Sequence, residues 1–390
     1  MKINDSLVLI CVSVCACFMG AGIALAVPSS STNYGLDRSV VAGGGGQTSA
    51  AGQSLSGVAG QSSPLGDSSS ASYGIEAGFL GGLAPLTMAP GDFDADRNAD
   101  ILWRNTASGL NYLYMMNAEV IASEGIIDVV SGTDWQIVGT GDYDGNNTAD
   151  ILWRNGVTGE NRIYFMDGNT IVSQGAILKI GDTNWHAAAS GDYNGDGKSD
   201  ILWRHAGTGQ NHIWFMNGLT IASQGTVNFV TTDWEVKGSG DLNGDGKSDI
   251  LWRRTGDGRN HVYLMSGNVI ASQGTINTVP LNWLIAGMGD YNGDGKADIL
   301  WRNTGNGRAH MYFMNGFAIA SQGTVGTVPL AWEIRGDGDY NGDGKADILW
   351  RNMTPGDGRN YMYFMDGNII ASSGYVNAVS NFDFVIVDTP

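Results

Sequence analysis

Oxygen-bearing side chains recur in this chain at a spacing that suits one kind of chemistry, the binding of a hard divalent cation. Asp92, Asp142, Asp192, Asp241, Asp290 and Asp339 open six near-copies of one nine-residue loop, at intervals of 50, 50, 49, 49 and 49 residues. The third and sixth copies read Asp192-Tyr193-Asn194-Gly195-Asp196-Gly197-Lys198-Ser199-Asp200 and Asp339-Tyr340-Asn341-Gly342-Asp343-Gly344-Lys345-Ala346-Asp347. Side-chain oxygens at positions 1, 3, 5 and 9 can converge on one ion, and the position-7 carbonyl can add another. Calcium accepts roughly six to eight oxygens in flexible geometry, and such a loop supplies most of them. Glycine at position 6 permits the sharp turn. The loop is not an EF-hand, because position 12 is a tryptophan (Trp103, Trp153, Trp203, Trp252, Trp301, Trp350) where an EF-hand needs a bidentate glutamate. Asx-turns that bind no metal are the alternative. That alternative leaves three or four carboxylates per loop repelling one another with no counter-charge.

The formal charge is −18, and the six loops hold 19 of the 39 acidic side chains. Six divalent ions would bring the net to about −6, so most of the acidity is metal-site acidity. Nothing forms a basic stripe able to neutralise phosphates, which argues against nucleic acid as a partner.

The N-terminus reads as an export signal: Lys2, an apolar stretch over residues 7–26, and Ala24-Leu25-Ala26 as a small-x-small cleavage site. A retained membrane anchor and a lipoprotein attached at Cys17 are the alternatives. All three cysteines (Cys11, Cys15, Cys17) fall in this segment, so the mature chain has no disulfide framework and calcium can serve as its staple. No other segment is apolar and long enough to span a membrane. The expected location is secreted, periplasmic or at the cell surface. The expected organisation is a signal at 1–26, a Gly/Ser/Ala-rich linker or small β-module at 27–82, and a repeat domain at 83–390.

Each repeat must position its loop with four β segments. The first opens on Trp135, Trp185, Trp234, Trp283 or Trp332, each seven residues before a loop, and the second is the Ile-Leu-Trp-Arg run after it. The third and fourth resemble Asn211-His212-Ile213-Trp214-Phe215-Met216 and Thr220-Ile221-Ala222-Ser223-Gln224-Gly225, joined by Asn-Gly, a strong two-residue hairpin signal. No stretch has sustained helical periodicity. Four antiparallel strands per repeat predict an all-β chain, a β-propeller of six or seven four-stranded blades. Weak strand-like stretches at residues 34–41, 53–60 and 71–80 could join a last strand at 382–388, with Phe384 in the lead-tryptophan position. A first strand lacking a blade of its own favours seven; a six-bladed ring capped by that strand is the alternative.

The units Gly-Asp-Tyr-Asn-Gly-Asp-Gly-Lys-Ser/Ala-Asp-Ile-Leu-Trp-Arg resemble the FG-GAP-like (VCBS-type) repeats of bacterial secreted proteins, which are similar to the integrin α-chain propeller. The resemblance covers residues 90–387. It implies calcium in the hairpin joining the first two strands of a blade, together with adhesion or ligand binding; some such propellers are lectins. It assigns as ligands Asp192, Asn194, Asp196, Lys198 and Asp200 in the third loop, lysine acting through its carbonyl. In the fourth they are Asp241, Asn243, Asp245, Lys247 and Asp249; in the fifth, Asp290, Asn292, Asp294, Lys296 and Asp298; in the sixth, Asp339, Asn341, Asp343, Lys345 and Asp347. The first two loops depart from the pattern. Asp92, Asp94, Asp96 and Asp100 are present, but Arg97 stands at position 6. Asp142, Asp144, Asn146 and Asp150 are present, with Asn147 there. Asparagine tolerates a left-handed backbone better than arginine does, so the first site is the weakest expectation.

No catalytic constellation is visible. Of the five histidines (His186, His205, His212, His261, His310), three share one repeat position and so stand a blade apart. Calcium is expected to be structural rather than catalytic. The Trp-Arg pairs, from Trp103-Arg104 to Trp350-Arg351, admit two readings. Either they are saccharide-stacking platforms, or the tryptophans are blade core and the arginines bridge blades. The variable turns at 107–111, 156–160 and 355–359 share one rim and are the better place for ligand contacts. The expected partner is a glycan or a cell-surface or extracellular protein.

Overall fold

Ile-Leu-Trp-Arg is apolar at consecutive positions, so a strand carrying it must be covered on both faces. In the computed structural model, which describes residues 46–50, 53–57, 68–70, 73–75 and 91–387, all four residues of every copy are buried. The six tryptophans are each 1% exposed. The cover comes from neighbouring sheets stacked around a ring.

There are six four-stranded antiparallel blades. Blade two comprises Trp135–Gly141, Asp150–Asn155, Asn161–Asp167 and Thr170–Ile177. Blade three comprises Trp185–Gly191, Asp200–His205, Gln210–Asn217 and Thr220–Phe229. Blade four comprises Trp234–Gly240, Asp249–Arg254, Arg259–Ser266 and Val269–Thr278. Blade five comprises Trp283–Gly289, Asp298–Asn303, Arg308–Asn315 and Ala318–Thr327, and blade six Trp332–Gly338, Asp347–Asn352, Arg359–Asp366 and Ile369–Ala378. First strands of successive blades meet near the axis, and fourth strands form the exposed outer edge. Their Ala-Ser-Gln-Gly-Thr composition fits an edge that faces water.

Blade one settles the count. Its strands Ile101–Asn105, Leu110–Asn117 and Val120–Val129 are completed by Phe384–Ile386 from the other end of the chain. Phe384 pairs with Asn105 just as Trp185 pairs with His205, so it does hold the lead-tryptophan position. The strand that argued for a seventh blade therefore completes blade one and closes a ring of six. A closed ring leaves no blade face bare, which is why the first and last strands of the propeller share one sheet. The core is six clusters, each shared by two blades; Ile101, Trp103 and Met116 of blade one pack with Leu349, Met362 and Phe364 of blade six.

The chain divides into two units, Met1–Thr87 and Met88–Pro390. In the first, Gly46–Ala50 pairs with Gln53–Gly57, and Ser68–Ser70 with Tyr73–Ile75. The export signal, the stretch at 34–41 and the segment just before Gly91 lie outside the described residues. Among the described residues no helix is long and apolar enough to cross a membrane.

Hairpins between third and fourth strands differ by one residue from the Asn-Gly expectation. Asn217 pairs with Thr220, so Asn217 ends its strand and Gly218-Leu219 is the turn. Only the glycine has positive φ (62°), which fits a type II′ turn rather than the I′ turn that Asn-Gly favours. The shift places the following side chain against the preceding blade: Leu219 fills the space beside Gly175.

One glycine in the turn between second and third strands carries a larger constraint. Gly209 has φ +76°, and a Cβ there would lie 1.9 Å from the Val230 carbonyl oxygen, which belongs to the same blade's exit. Gly209→Ala is expected to destabilise the protein by at least about 2 kcal/mol, since strain and a backbone collision add. Urea unfolding measures it; a midpoint within error of wild type would refute the close approach.

Candidate metal centres

Each acidic loop is held by its own aspartates before any ion is considered. In the third loop Asp192 Oδ1 accepts from the backbone N–H of Gly195 (2.6 Å) and Asp196 (3.2 Å), and Oδ2 from Gly197 (2.8 Å). Asn194 Oδ1 accepts from Asp196 N–H at 2.8 Å, and Asp196 Oδ1 from Lys198 N–H at 3.0 Å. The fourth and fifth loops repeat the pattern through Asp241 and Asp245 and through Asp290, Asn292 and Asp294. The sixth repeats it through Asp339, Asn341 and Asp343.

Position 9 is the buried floor of the loop. Asp200 Oδ2 accepts from Tyr193 N–H and Oδ1 from Met216 N–H, both at 3.0 Å, so one carboxylate ties the loop to the third strand. Asp100, Asp150, Asp249, Asp298 and Asp347 do the same in their blades. Burial, only partly offset by those hydrogen bonds, pushes Asp100, Asp150 and Asp200 up to about 8 and Asp249, Asp298 and Asp347 up to about 7. Neighbouring loop carboxylates push in the same direction.

Three carboxylates converge in the two loops that carry aspartate at position 3. Oxygens of Asp92, Asp94 and Asp100 lie within 4.8 Å of one another, as do those of Asp142, Asp144 and Asp150. Asp96, at position 5, is exposed and outside that group. Asp92 is 2% exposed, yet its Oδ1 has no hydrogen-bond partner; Asp144 Oδ1 and Asn243 Oδ1 are likewise buried without one. A buried acceptor without a donor is costly, and a hard cation is the partner that oxygen-only clusters of this charge suit. The residues present therefore fit calcium.

The first loop takes the common backbone despite its sequence. Arg97 has φ 78° and Ala95 φ 61°, where Gly197 and Gly195 have 83° and 78°. Asn147 stands at 68°. Arg97→Gly is accordingly expected to raise stability by roughly 0.5–1 kcal/mol. A thermal melt that falls instead would show that the arginine side chain compensates for its strain.

The lysines at position 7 lean over the preceding loop: the Lys198 side chain packs beside Gly145, and Lys247 beside Gly195. Lys345 reaches Asp366 at 2.8 Å.

Sequence reasoning did not find that the loops are bonded to one another. Ser199 N–H donates to Asp142 O, Ser248 to Asp192, Ala297 to Asp241, Ala346 to Asp290, Ala99 to Asp339 and Ala149 to Asp92, all at 2.6–2.7 Å. These six bonds close a ring. A second ring runs from the hairpin turns, as in Gly218 N–H to Tyr143 O at 2.8 Å. The only sequence trace of either ring is the small residue at position 8.

The Trp-Arg pairs are not a ligand surface. Arg204 is 4% exposed and lies 4.9 Å from the Trp252 ring of the next blade. Equivalent contacts run from Arg104 to Trp153, Arg154 to Trp203, Arg253 to Trp301, Arg302 to Trp350 and Arg351 to Trp103. This overturns the saccharide-platform reading: the tryptophans are core and the arginines bridge blades. The three repeat histidines stay on separate blades. Each ring sits between a threonine and a glutamine of its own fourth strand, as His310 does with Thr324 (3.2 Å) and Gln322 (3.1 Å).

A family model described as the FG-GAP-like repeat matches residues 142–203 and 241–301, and one described as the FG-GAP repeat matches 282–325. No curated protein matches the chain in sequence. Among solved structures it is similar to a nidogen/laminin complex, at 8% identity and TM-score 0.45, over 74% of this chain and 96% of that one. It is also similar to regucalcin, a calcium-binding protein from Agrobacterium tumefaciens str. C58, at 11% identity and TM-score 0.36, over 61% and 75%. A third is Kuenenia stuttgartiensis hydrazine synthase, at 12% identity and TM-score 0.43, over 73% and 79%. None of these likenesses bears on ligand or activity. The repeats matched in blades two to five recur in blades one and six with the same loop and strand register, so the six-bladed β-propeller is built from FG-GAP-type repeats.

Proposed function

We propose that this protein is an exported, calcium-stabilised propeller that binds glycans, with calcium structural and no catalytic role of its own. Export rests on Lys2, the apolar residues 7–26 and Ala24-Leu25-Ala26. The ion would be held by the position 1, 3 and 9 side chains, with those at position 5 and the position 7 carbonyl completing the set. It would supply a counter-charge to the loop carboxylates, in the same loops whose position-1 backbone carbonyls accept the inter-blade bonds.

One observation carries the glycan reading. On the rim opposite the acidic loops, five blades open with a half-buried tryptophan flanked by an aromatic or cationic side chain. Trp185 meets His205 at 5.2 Å, Trp234 His261 at 6.2 Å, Trp283 His310 at 6.3 Å and Trp332 Tyr361 at 6.4 Å; Arg162 lies 4.4 Å from Trp135. Aromatic faces beside fixed polar donors suit saccharides. Repetition on a rigid ring allows a polymer to engage several weak sites at once.

The variable turns at 107–111, 156–160 and 355–359 lie on this same rim and favour a second reading, adhesion to a protein partner. Glycan-array binding of the chain from Val27 onward, in calcium and after chelation with folding checked in both, separates the two. Hits on related sugars support the lectin reading. A folded protein with none transfers the function to a protein ligand.

A further inference from the structure

Blades four, five and six place an arginine at the same third-strand position: Arg259, Arg308 and Arg359. In two of them it is spoken for. Arg259 pairs with Asp257 at 2.8 Å and lies 5.8 Å from the Trp234 ring. Arg359 pairs with Asp357 at 2.7 Å and lies 5.5 Å from Trp332. Blade five has Asn306 where the others have aspartate. Asn306 Oδ1 keeps the turn by accepting from Arg308 N–H at 3.0 Å, against 3.1 Å for Asp257 and Asp357 in theirs, but it brings no charge. Among the described residues Arg308 has no carboxylate partner, and no cation lies over Trp283. Its guanidinium bonds the Thr324 hydroxyl and no other side chain among the described residues.

These differences coincide with a groove of about 220 Å³ between the exit of blade four and the face of blade five. Thr278, Trp283, Arg308, His310 and Tyr312 line it, and no carboxylate does. His310 is locked by Thr324 and Gln322, so its ring presents a fixed edge. The acidic loops that dominate the net charge lie on the other rim.

Resting on the glycan-binding reading, we infer that this groove takes one anionic sugar unit, a uronate or a sulfated pyranose. Arg308 binds the anion with its planar fork, and Trp283 and Tyr312 receive the ring's C–H face. The site distinguishes blade five from its neighbours, whose arginines are neutralised internally.

The test is titration calorimetry on the calcium-loaded protein with tetragalacturonate, a sulfated galactan oligosaccharide and a neutral galactan oligosaccharide. At least one anionic oligomer is expected to bind roughly tenfold or more tighter than the neutral one, the scale of a charge-assisted hydrogen bond. Which anionic oligomer binds identifies the group. Asn306→Asp, which rebuilds the ion pair of blades four and six, and Arg308→Gln should each remove that preference at unchanged melting temperature. Asp357→Asn should add a second anionic site in blade six. Equal affinity for the neutral oligomer, or a preference surviving Asn306→Asp, overturns this site and leaves glycan binding standing. A folded protein binding none of the three overturns the site, and an array without hits then takes the glycan reading with it.

Discussion

Stripping calcium from this protein is expected to lower its melting temperature by on the order of 15 °C and to reverse its response to pH. Sites of about 0.1 mM affinity in about 1 mM calcium contribute roughly 1.4 kcal/mol each, or about 8 kcal/mol for six. That is comparable with the whole stability of a domain and sets the size of the shift. The sign of the pH response follows from the position-9 aspartates. Their ordinary value is 3.8, and in the folded chain burial raises it to about 8 at Asp100, Asp150 and Asp200 and about 7 at Asp249, Asp298 and Asp347. Without an ion, the folded state holds protons that the unfolded state has released. Stability is then greatest below about pH 4 and declines as pH rises towards about 8. With calcium the ligands must be deprotonated, so stability rises through the same window. Melts of metal-stripped and calcium-loaded protein at pH 5 and pH 8 measure both slopes. A melting temperature indifferent to calcium, or slopes of one sign, would sink the structural role.

Arg204→Met is expected to cost about 3–5 kcal/mol, while Arg351→Met costs distinctly less. Arg204 donates to the carbonyls of Gly209, Val230, Thr231 and Trp234 and to Asn211 Oδ1, at 2.8–3.2 Å. Methionine fills similar space but leaves those buried acceptors without a donor. Among the described residues Arg351, at the seam where the ring closes, donates only to Val379 O at 2.8 Å, and its Nη1 is unpaired, as is Asn360 Oδ1 beside it. Burial accordingly lowers Arg351 to about 10. Urea unfolding of the two variants tests the contrast; equal losses would mean that the ring contact with the neighbouring tryptophan, common to both, sets the energy.

Local chemistry was legible because it is carried by adjacent residues. The loop period, the four strands per repeat and the buried Ile-Leu-Trp-Arg segment all follow from patterns within about fifty residues, which is why the blade could be read from one copy. The hairpin register was misplaced by one residue because Asn-Gly and Gly-Leu are both acceptable turns. The choice fell to the packing of Leu219 beside Gly175 of the preceding blade. The first loop shows the same limit, since Arg97 and Ala95 adopt left-handed backbone that their own preferences oppose. Ring contacts on both sides hold that loop, through Ala99 N–H to Asp339 O and Ala149 N–H to Asp92 O.

By itself, then, the sequence determined the repeating blade, the acidic loops and the ligand types they offer, because these depend on spacing along one strand–loop–strand unit. Only the tertiary structure decided that there are six blades, that the Trp-Arg pairs are mortar rather than binding platforms, and that Arg308 stands uncompensated over a groove. Each of those depends on which blade lies next to which, and on the closure that brings Phe384 to Asn105. Closure is a property of the ring as a whole: each core cluster is shared by two blades, and no single repeat encodes which blade lies beside it.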